Sequence, residues 1–280
     1  MFQFCSDTNL FIMKRIYFFI LISLIMSTNI FSQTSDKTYI LVHGAWHNAS
    51  CWYKVIPLLE AKGRKVIAID LPGHGKDTTD PTSITLDNYV KKVVAVANEQ
   101  TGQVILVGHS MAGVVISQAA EELGTDKVAK LIYVDAFLPK NGESVFSLAE
   151  MVLKQLPPSA SNTITLMECI IPSEDKMTSV FKPEFAKKFF YDDCSAEDIK
   201  FAKANLSRQA FAPLTTPVRV TDSIYGTIPK YYILCTKSKD LDKTLLSTHV
   251  PCKKVYTLPS SHSPFFSMPE KLVDILNEVY

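Results

Sequence analysis

The chain predicts an α/β fold: a mostly parallel central sheet flanked by helices, with a helical lid inserted before the penultimate strand. Three observations lead there. Short apolar runs alternate with helix-like stretches from Thr38 onward, as βαβ units do. The alternation breaks between about residues 139 and 226 and then resumes. The stretch VILVGHSMAGVV places a serine directly after an apolar run and directly before a small-residue helix. A length of 280 residues accommodates one such domain with an insertion, and would cramp two.

In chain order, the strand candidates are Tyr39–Val42, Lys65–Asp70, Gln103–Val107, Lys130–Val134, Lys230–Leu234 and Lys253–Leu258. Cys51–Lys62 reads as an amphipathic helix stopped by Gly63, and Met111–Leu123 as a helix buried against the sheet and stopped by Gly124. The last helix starts at Pro269, where a proline in the first turn loses no hydrogen bond, and carries apolar Leu272, Val273, Ile275 and Leu276. The insertion holds Pro157, Pro158, Pro172 and Pro183 between helices expected at Ser144–Gln155, Lys182–Tyr191 and Ala196–Asn205. Ser195 followed by Asp198 resembles a capping box for the last of these. Met151, Leu153, Met167, Phe189 and Phe211 are the apolar residues of the insertion expected either to roof a site or to form the lid's own core.

The N-terminus is a separate matter. Lys14 and Arg15 precede an apolar run from Ile16 to Met26 and then polar Ser27, Thr28 and Asn29, the layout of a secretory signal peptide over residues 1–32, with residues 1–12 an over-long start if Met13 initiates. The alternative is an uncleaved anchor helix, against which the run is shorter than the ~20 apolar residues of a membrane span; no stable span is expected after cleavage. The expectation is an exported protein, periplasmic or secreted, with residues 33–280 as the folded domain. An oxidising compartment permits disulfides, and Cys169 with Cys194 is the pair to test, against separate buried thiols. The six cysteines show no metal-ligand spacing, so no zinc site is legible. A net charge of +1 with 20% charged residues carries no bias toward nucleic acid.

The chemistry concentrates in three loops. A serine hydroxyl needs a base, an exposed position and an oxyanion site together. A tight turn from strand to helix supplies the second and third at Ser110: Gly108, Ala112 and Gly113 let the backbone bend sharply, and the Met111 amide points from a helix N-terminus. Alanine at position 112 departs from G-x-S-x-G by the smallest change available. In LVHGAW, Gly44 permits close backbone approach and Ala45 offers the second oxyanion amide. His43 reads as scaffold, while Trp46, His47 and Trp52 are candidates for an acyl pocket or for core. In SSHSPFF, His262 follows the last strand and is the candidate general base. His74, in DLPGHG, reads as a loop-stabilising residue.

These segments resemble the α/β-hydrolase superfamily, in the branch of plant methylesterases and hydroxynitrile lyases with their bacterial esterase relatives. The likeness runs through LVHGAWHNASCWYKVIPLLEAKGRKVIAIDLPGHG, VILVGHSMAG, LIYVDAFLP, FYDDC, TTPV and SHSPFFSMPEKL, from about Tyr39 to the C-terminus. It implies Ser110 as nucleophile, His262 as base, and the Ala45 and Met111 amides as the oxyanion hole. The lyases carry a lysine directly after the histidine; Ser263 stands there, and His109 precedes the nucleophile as in the esterases, so the resemblance implies ester hydrolysis. It also implies an aspartate where this chain has Ser238. Two replacements are open: Asp135, at the end of the preceding strand, and Asp240, two residues further along the same loop as Ser238, with Asp242 beside it. For both loop aspartates, and for Asp135 as a lid-hinge hydrogen-bonder, a structural role is the alternative.

The expected function is a serine carboxylesterase acting on a small methyl or short-chain ester through an acyl-serine intermediate, with no metal or organic cofactor implied. The alternatives are a lactonase or amidase of the same mechanism, or a ligand-binding protein on a hydrolase scaffold weakened by Ser238.

Overall fold

The computed structural model describes residues 37–155 and 164–280. The expected signal peptide, Pro157 and Pro158 therefore lie outside the described residues. Among the described residues no helix is long and apolar enough to cross a membrane.

The chain enters through β1 (Thr38–Val42), a 3-10 turn (Ala49–Trp52) and α1 (Val55–Ala61), then β2 (Lys65–Ile69), α2 (Leu86–Asn98), β3 (Val104–His109), α3 (Ala112–Lys127) and β4 (Val128–Val134). The insertion carries α4 (Val145–Leu153), β5 (Ile170–Pro172), β6 (Thr178–Phe181), α5 (Pro183–Phe190), α6 (Ala196–Ala204), β7 (Gln209–Ala210) and α7 (Ala212–Thr215). The chain returns through β8 (Lys230–Cys235), α8 (Leu246–His249), β9 (Lys254–Leu258), α9 (Pro264–Ser267) and α10 (Pro269–Val279). The central sheet is parallel, in the order β2-β1-β3-β4-β8-β9. Tyr39–Val42, Val104–Val107 and Leu131–Val134 are fully buried, as central strands covered on both faces must be. The helices cover the sheet in pairs, α1 against α10 and α2 against α3.

Three expectations are corrected. The Cys51–Lys62 helix is two pieces, because the Asn48 side chain caps a separate 3-10 turn and Pro57, which has no amide to bond residue 53, is tolerated only in a first turn. The lid is not purely helical: β5, β6 and β7 form a three-stranded antiparallel sheet within it. Only half of the capping box at Ser195 forms, since its side chain accepts the Asp198 amide at 3.1 Å while the Asp198 carboxylate accepts from the Ser195 hydroxyl, Tyr53 and Lys54 and not from the Ser195 amide. The five cysteines of the described residues are free thiols; Cys169 enters the small sheet, whereas Cys194 sits on the turn after α5 beside Asp193.

α2, for which there was no expectation from sequence, is opened by a full capping box between Thr85 and Asn88. The α3 helix keeps helical backbone as far as Gly124, whose φ of 74° interrupts it.

Candidate functional site

In a parallel sheet all strands end on one edge, and the loops leaving that edge build the site. The register aligns Val42 with Gly108 and His109 with Val134, so the loops carrying Ala45, Ser110 and Asp135 leave adjacent strands at one level. β8 and β9 follow in the sheet and deliver Ser238 and His262 to the same edge.

Ser110 sits at the turn from β3 to α3 with φ of 55°, a left-handed conformation that is unusual for a non-glycine residue. Its neighbours explain how the turn is held. The Ser110 amide donates to Val134 O at 3.3 Å, and Ser110 O accepts from Gly113 at 3.1 Å and Phe137 at 3.0 Å. A Cβ on Gly113 would lie 2.0 Å from Phe137 O, and one on Gly108 2.8 Å from Ala112 O, so both glycines answer to close backbone approach. Among the described residues, neither the Ala45 nor the Met111 amide has a protein acceptor, and both residues line the same cavity as Ser110.

His262 Nδ1 lies 2.6 Å from Asp135 Oδ2 and 3.4 Å from Asp240 Oδ1. Both candidate carboxylates therefore reach the imidazole, Asp135 by the shorter contact. Asp135 has φ of 44° and is fully buried; its amide donates to Ile233 O at 2.8 Å and its Oδ1 accepts from the Cys235 amide at 3.2 Å. Burial acts to raise the Asp135 pKa, but Lys243, His262 and Ser238 outweigh it and hold the carboxyl below the usual range. Asp242 is exposed at the cavity rim and binds the Thr244 amide at 2.9 Å.

Lys243 was invisible as a site residue in the sequence. Its side chain is fully buried, with Nζ 2.6 Å from Asp240 Oδ2 and 3.3 Å from Asp135 Oδ2. Ser238, at the position where the resemblance implies an acid, directs its hydroxyl at Asp135 Oδ2 and Asp240 Oδ1, each at 2.7 Å. Donor atoms of Asp135, Asp240 and His262 lie within 4.8 Å of one another, and the cation already set against both carboxylates is the Lys243 ammonium. The only hint in KSKDLDKTLL is a lysine three residues after an aspartate and immediately before a run of Thr-Leu-Leu, a pattern equally at home on a solvated loop.

Four further histidines are framework, while His249 of α8 pairs with Glu143. His43 donates from Nδ1 to Gly44 O and accepts the Leu71 amide on Nε2; His74 bridges His47 O and Tyr89 Oη; His47 bridges Ala45 O and Tyr191 Oη. His109 donates from Nε2 to His262 O at 2.9 Å, which ties the β3 end to the loop of His262. From the lid side, Asp193 accepts the Ser261 amide at 2.9 Å and grips the same loop.

Over this edge lies a cavity of about 440 Å³, lined by Ser110 and His262 and walled by Trp46, Phe137, Phe146 and Phe190. Of the lid residues expected to roof a site, Leu153, Met167 and Phe189 line it. Phe211 instead packs on Phe146, and Met151 packs on the core. Trp46 and His47 also line it, whereas Trp52 is buried against Phe265. Charged groups at the rim are engaged: Lys239 pairs with Asp192 at 2.7 Å and Lys188 donates to Ile164 O at 3.1 Å. Ser263 is fully buried, so the position after the histidine carries no cation.

Comparison with known proteins bears on the fold and the family. Residues 39–275 match the model of the "Alpha/beta hydrolase family". The chain is 31% identical over 87% of its length to a putative chloroplastic methylesterase 15 of Arabidopsis thaliana, of which it spans 56%, so it covers little more than half of that relative. With methylesterase 7 of the same plant it shares 30% identity, over 88% of this chain and 97% of the relative. Among solved structures, a pyrethroid hydrolase from Sphingobium faniae JZ-2 superposes with a TM-score of 0.75 at 30% identity, covering 86% of this chain and 96% of the other. The chain belongs to the alpha/beta hydrolase family, in the branch of plant methylesterases with bacterial pyrethroid hydrolase relatives.

Proposed function

We propose that the protein is a serine carboxylesterase that cleaves a small, largely apolar methyl or short-chain ester. The observation that carries this reading is the 2.6 Å contact between His262 Nδ1 and Asp135 at the floor of an apolar cavity that Ser110 also lines. With Nδ1 held by a carboxylate, Nε2 is the nitrogen left to take the Ser110 proton. Ser110 Oγ attacks the ester carbonyl, and the oxyanion is received by the Ala45 and Met111 amides. Collapse expels the alcohol, which takes the proton from His262. Water activated by the same imidazole then hydrolyses the acyl-serine. Asp135 stabilises the imidazolium in both halves.

The apolar walls and the engagement of the rim lysines support a neutral ester over a free acid or a phosphorylated substrate. The basic and apolar leader supports export to the periplasm or the medium. A fluorophosphonate probe labels wild type and not Ser110→Ala, and p-nitrophenyl esters of short acids release p-nitrophenol. A wild-type protein that neither labels nor turns over these esters removes the enzyme reading in favour of a binding protein on this scaffold.

A further inference from the structure

We propose that Lys243 is a positioning residue for the triad: its buried ammonium offsets Asp240, so that a single net negative charge, that of Asp135, faces His262 Nδ1. This rests on the reading of Ser110 as nucleophile and His262 as base.

The case is one of charge and proton counting in a closed space. Two carboxylates whose oxygens lie within 4.8 Å of each other are placed beside one imidazole nitrogen. Asp135 is fully buried and Asp240 has a side-chain exposure of 5%. Like charges so close and so poorly solvated cannot both persist without compensation. Ser238 touches both, but a hydroxyl carries one proton and donates to one acceptor at a time. An ammonium has three protons. Lys243 Nζ uses two of them, on Asp240 at 2.6 Å and Asp135 at 3.3 Å, lies 5.9 Å from the Phe137 ring centroid and is buried away from solvent. Asp240 thus has its own cation and stands off from His262 at 3.4 Å, while Asp135 keeps the 2.6 Å contact. Burial acts against the charged lysine, and the two carboxylates overcome it, holding the ammonium above its ordinary pKa.

The other ionisable groups around the cluster do not supply this charge. His109 from the β3 end and His47 from the loop after β1 are both held neutral, chiefly by burial, and burial likewise keeps Tyr232 and Cys235 of β8 protonated. Asp193 of the lid is committed to Ser261.

The test is the pH dependence of kcat/KM on a short p-nitrophenyl ester for wild type, Lys243→Met, Asp240→Asn and the double variant. The acidic limb reports the base of the free enzyme. Removing the cation displaces that limb upward by about one pH unit, and removing the Asp240 charge displaces it downward by a similar amount. The double variant, which loses one charge of each sign, returns to the wild-type limb. Limbs that coincide in all four proteins, or a double variant as displaced as Lys243→Met, overturn the proposal by making Lys243 a packing residue. Should Lys243→Met fail to fold, Asp240→Asn alone decides, since an unmoved limb there contradicts the charge count. A wild type without turnover or fluorophosphonate labelling sinks the hydrolase reading and this one together; an active wild type with unmoved limbs sinks this one alone.

Discussion

Ser110 and Asp135 share a backbone property that most side chains avoid: both hold positive φ, 55° and 44°, at the ends of neighbouring strands. Each such residue costs on the order of 1–3 kcal/mol, and it persists where surrounding bonds over-determine it. Here the two bends support each other, because Ser110 N bonds Val134 O and Phe137 N bonds Ser110 O. Gly44 marks how little space is left around them, since a Cβ there would lie 2.8 Å from Ser110 Cβ and 2.8 Å from His109 Nδ1. Gly44→Ala therefore pushes Ser110, the proposed nucleophile, off its position. We expect kcat/KM to fall by about two orders of magnitude, with a much smaller loss of thermal stability. Ester hydrolysis and thermal melting of that variant check both halves.

At the scale of elements, the loop of His262 is fixed from three directions: by Asp135 at the ring, by His109 at the backbone carbonyl and by Asp193 of the lid at Ser261. In the proposed mechanism the lid thus helps to hold the base as well as roofing the cavity. Asp193→Ala removes one of these ties without touching the ring, and we expect kcat to fall about tenfold or more while the overall fold stays intact. An unchanged kcat would mean that the sheet alone positions His262. The packing of α3 against the strand edge makes a second test. Gly113→Ala would set a methyl 2.0 Å from the Phe137 carbonyl oxygen, a backbone atom that cannot turn aside. Destabilisation of about 3 kcal/mol or more is expected by urea denaturation.

The same elements show what the sequence disclosed. The six central strands, the elbow at Ser110 and the loop of His262 were legible because period, glycine placement and chain order are local signals. The small lid sheet was not: β5 is three residues and β7 two, too short for alternation to register. Lys243 was hidden for a different reason. Its burial depends on two carboxylates brought in from β4 and from its own loop, and only the folded chain places them together.

Across the whole molecule, four histidines belong to the framework around the site. His47 and His74 are held down to about 4, and His43 and His109 well below 6.5, each chiefly by burial. All four are neutral when folded and take up a proton when unfolded below pH 6.5, so the unfolded chain binds more protons there. Their contribution is complete above pH 6.5 and is lost as pH falls below it, for His47 and His74 as far as about 4, at up to about 1.4 kcal/mol per pH unit for each histidine. Urea midpoints measured at pH 7 and pH 5 are expected to drop steeply, and a flat profile would contradict the buried neutral assignment.

The proposed placement of the triad acid at the end of β4, and not on the loop after β8, has one direct measurement: kcat of Asp135→Asn beside Asp240→Asn on the same short-chain ester. A loss of about four orders of magnitude is expected for Asp135→Asn, with both proteins folded, and less than tenfold for Asp240→Asn. A large loss for Asp240→Asn with Asp135→Asn near wild type would contradict it.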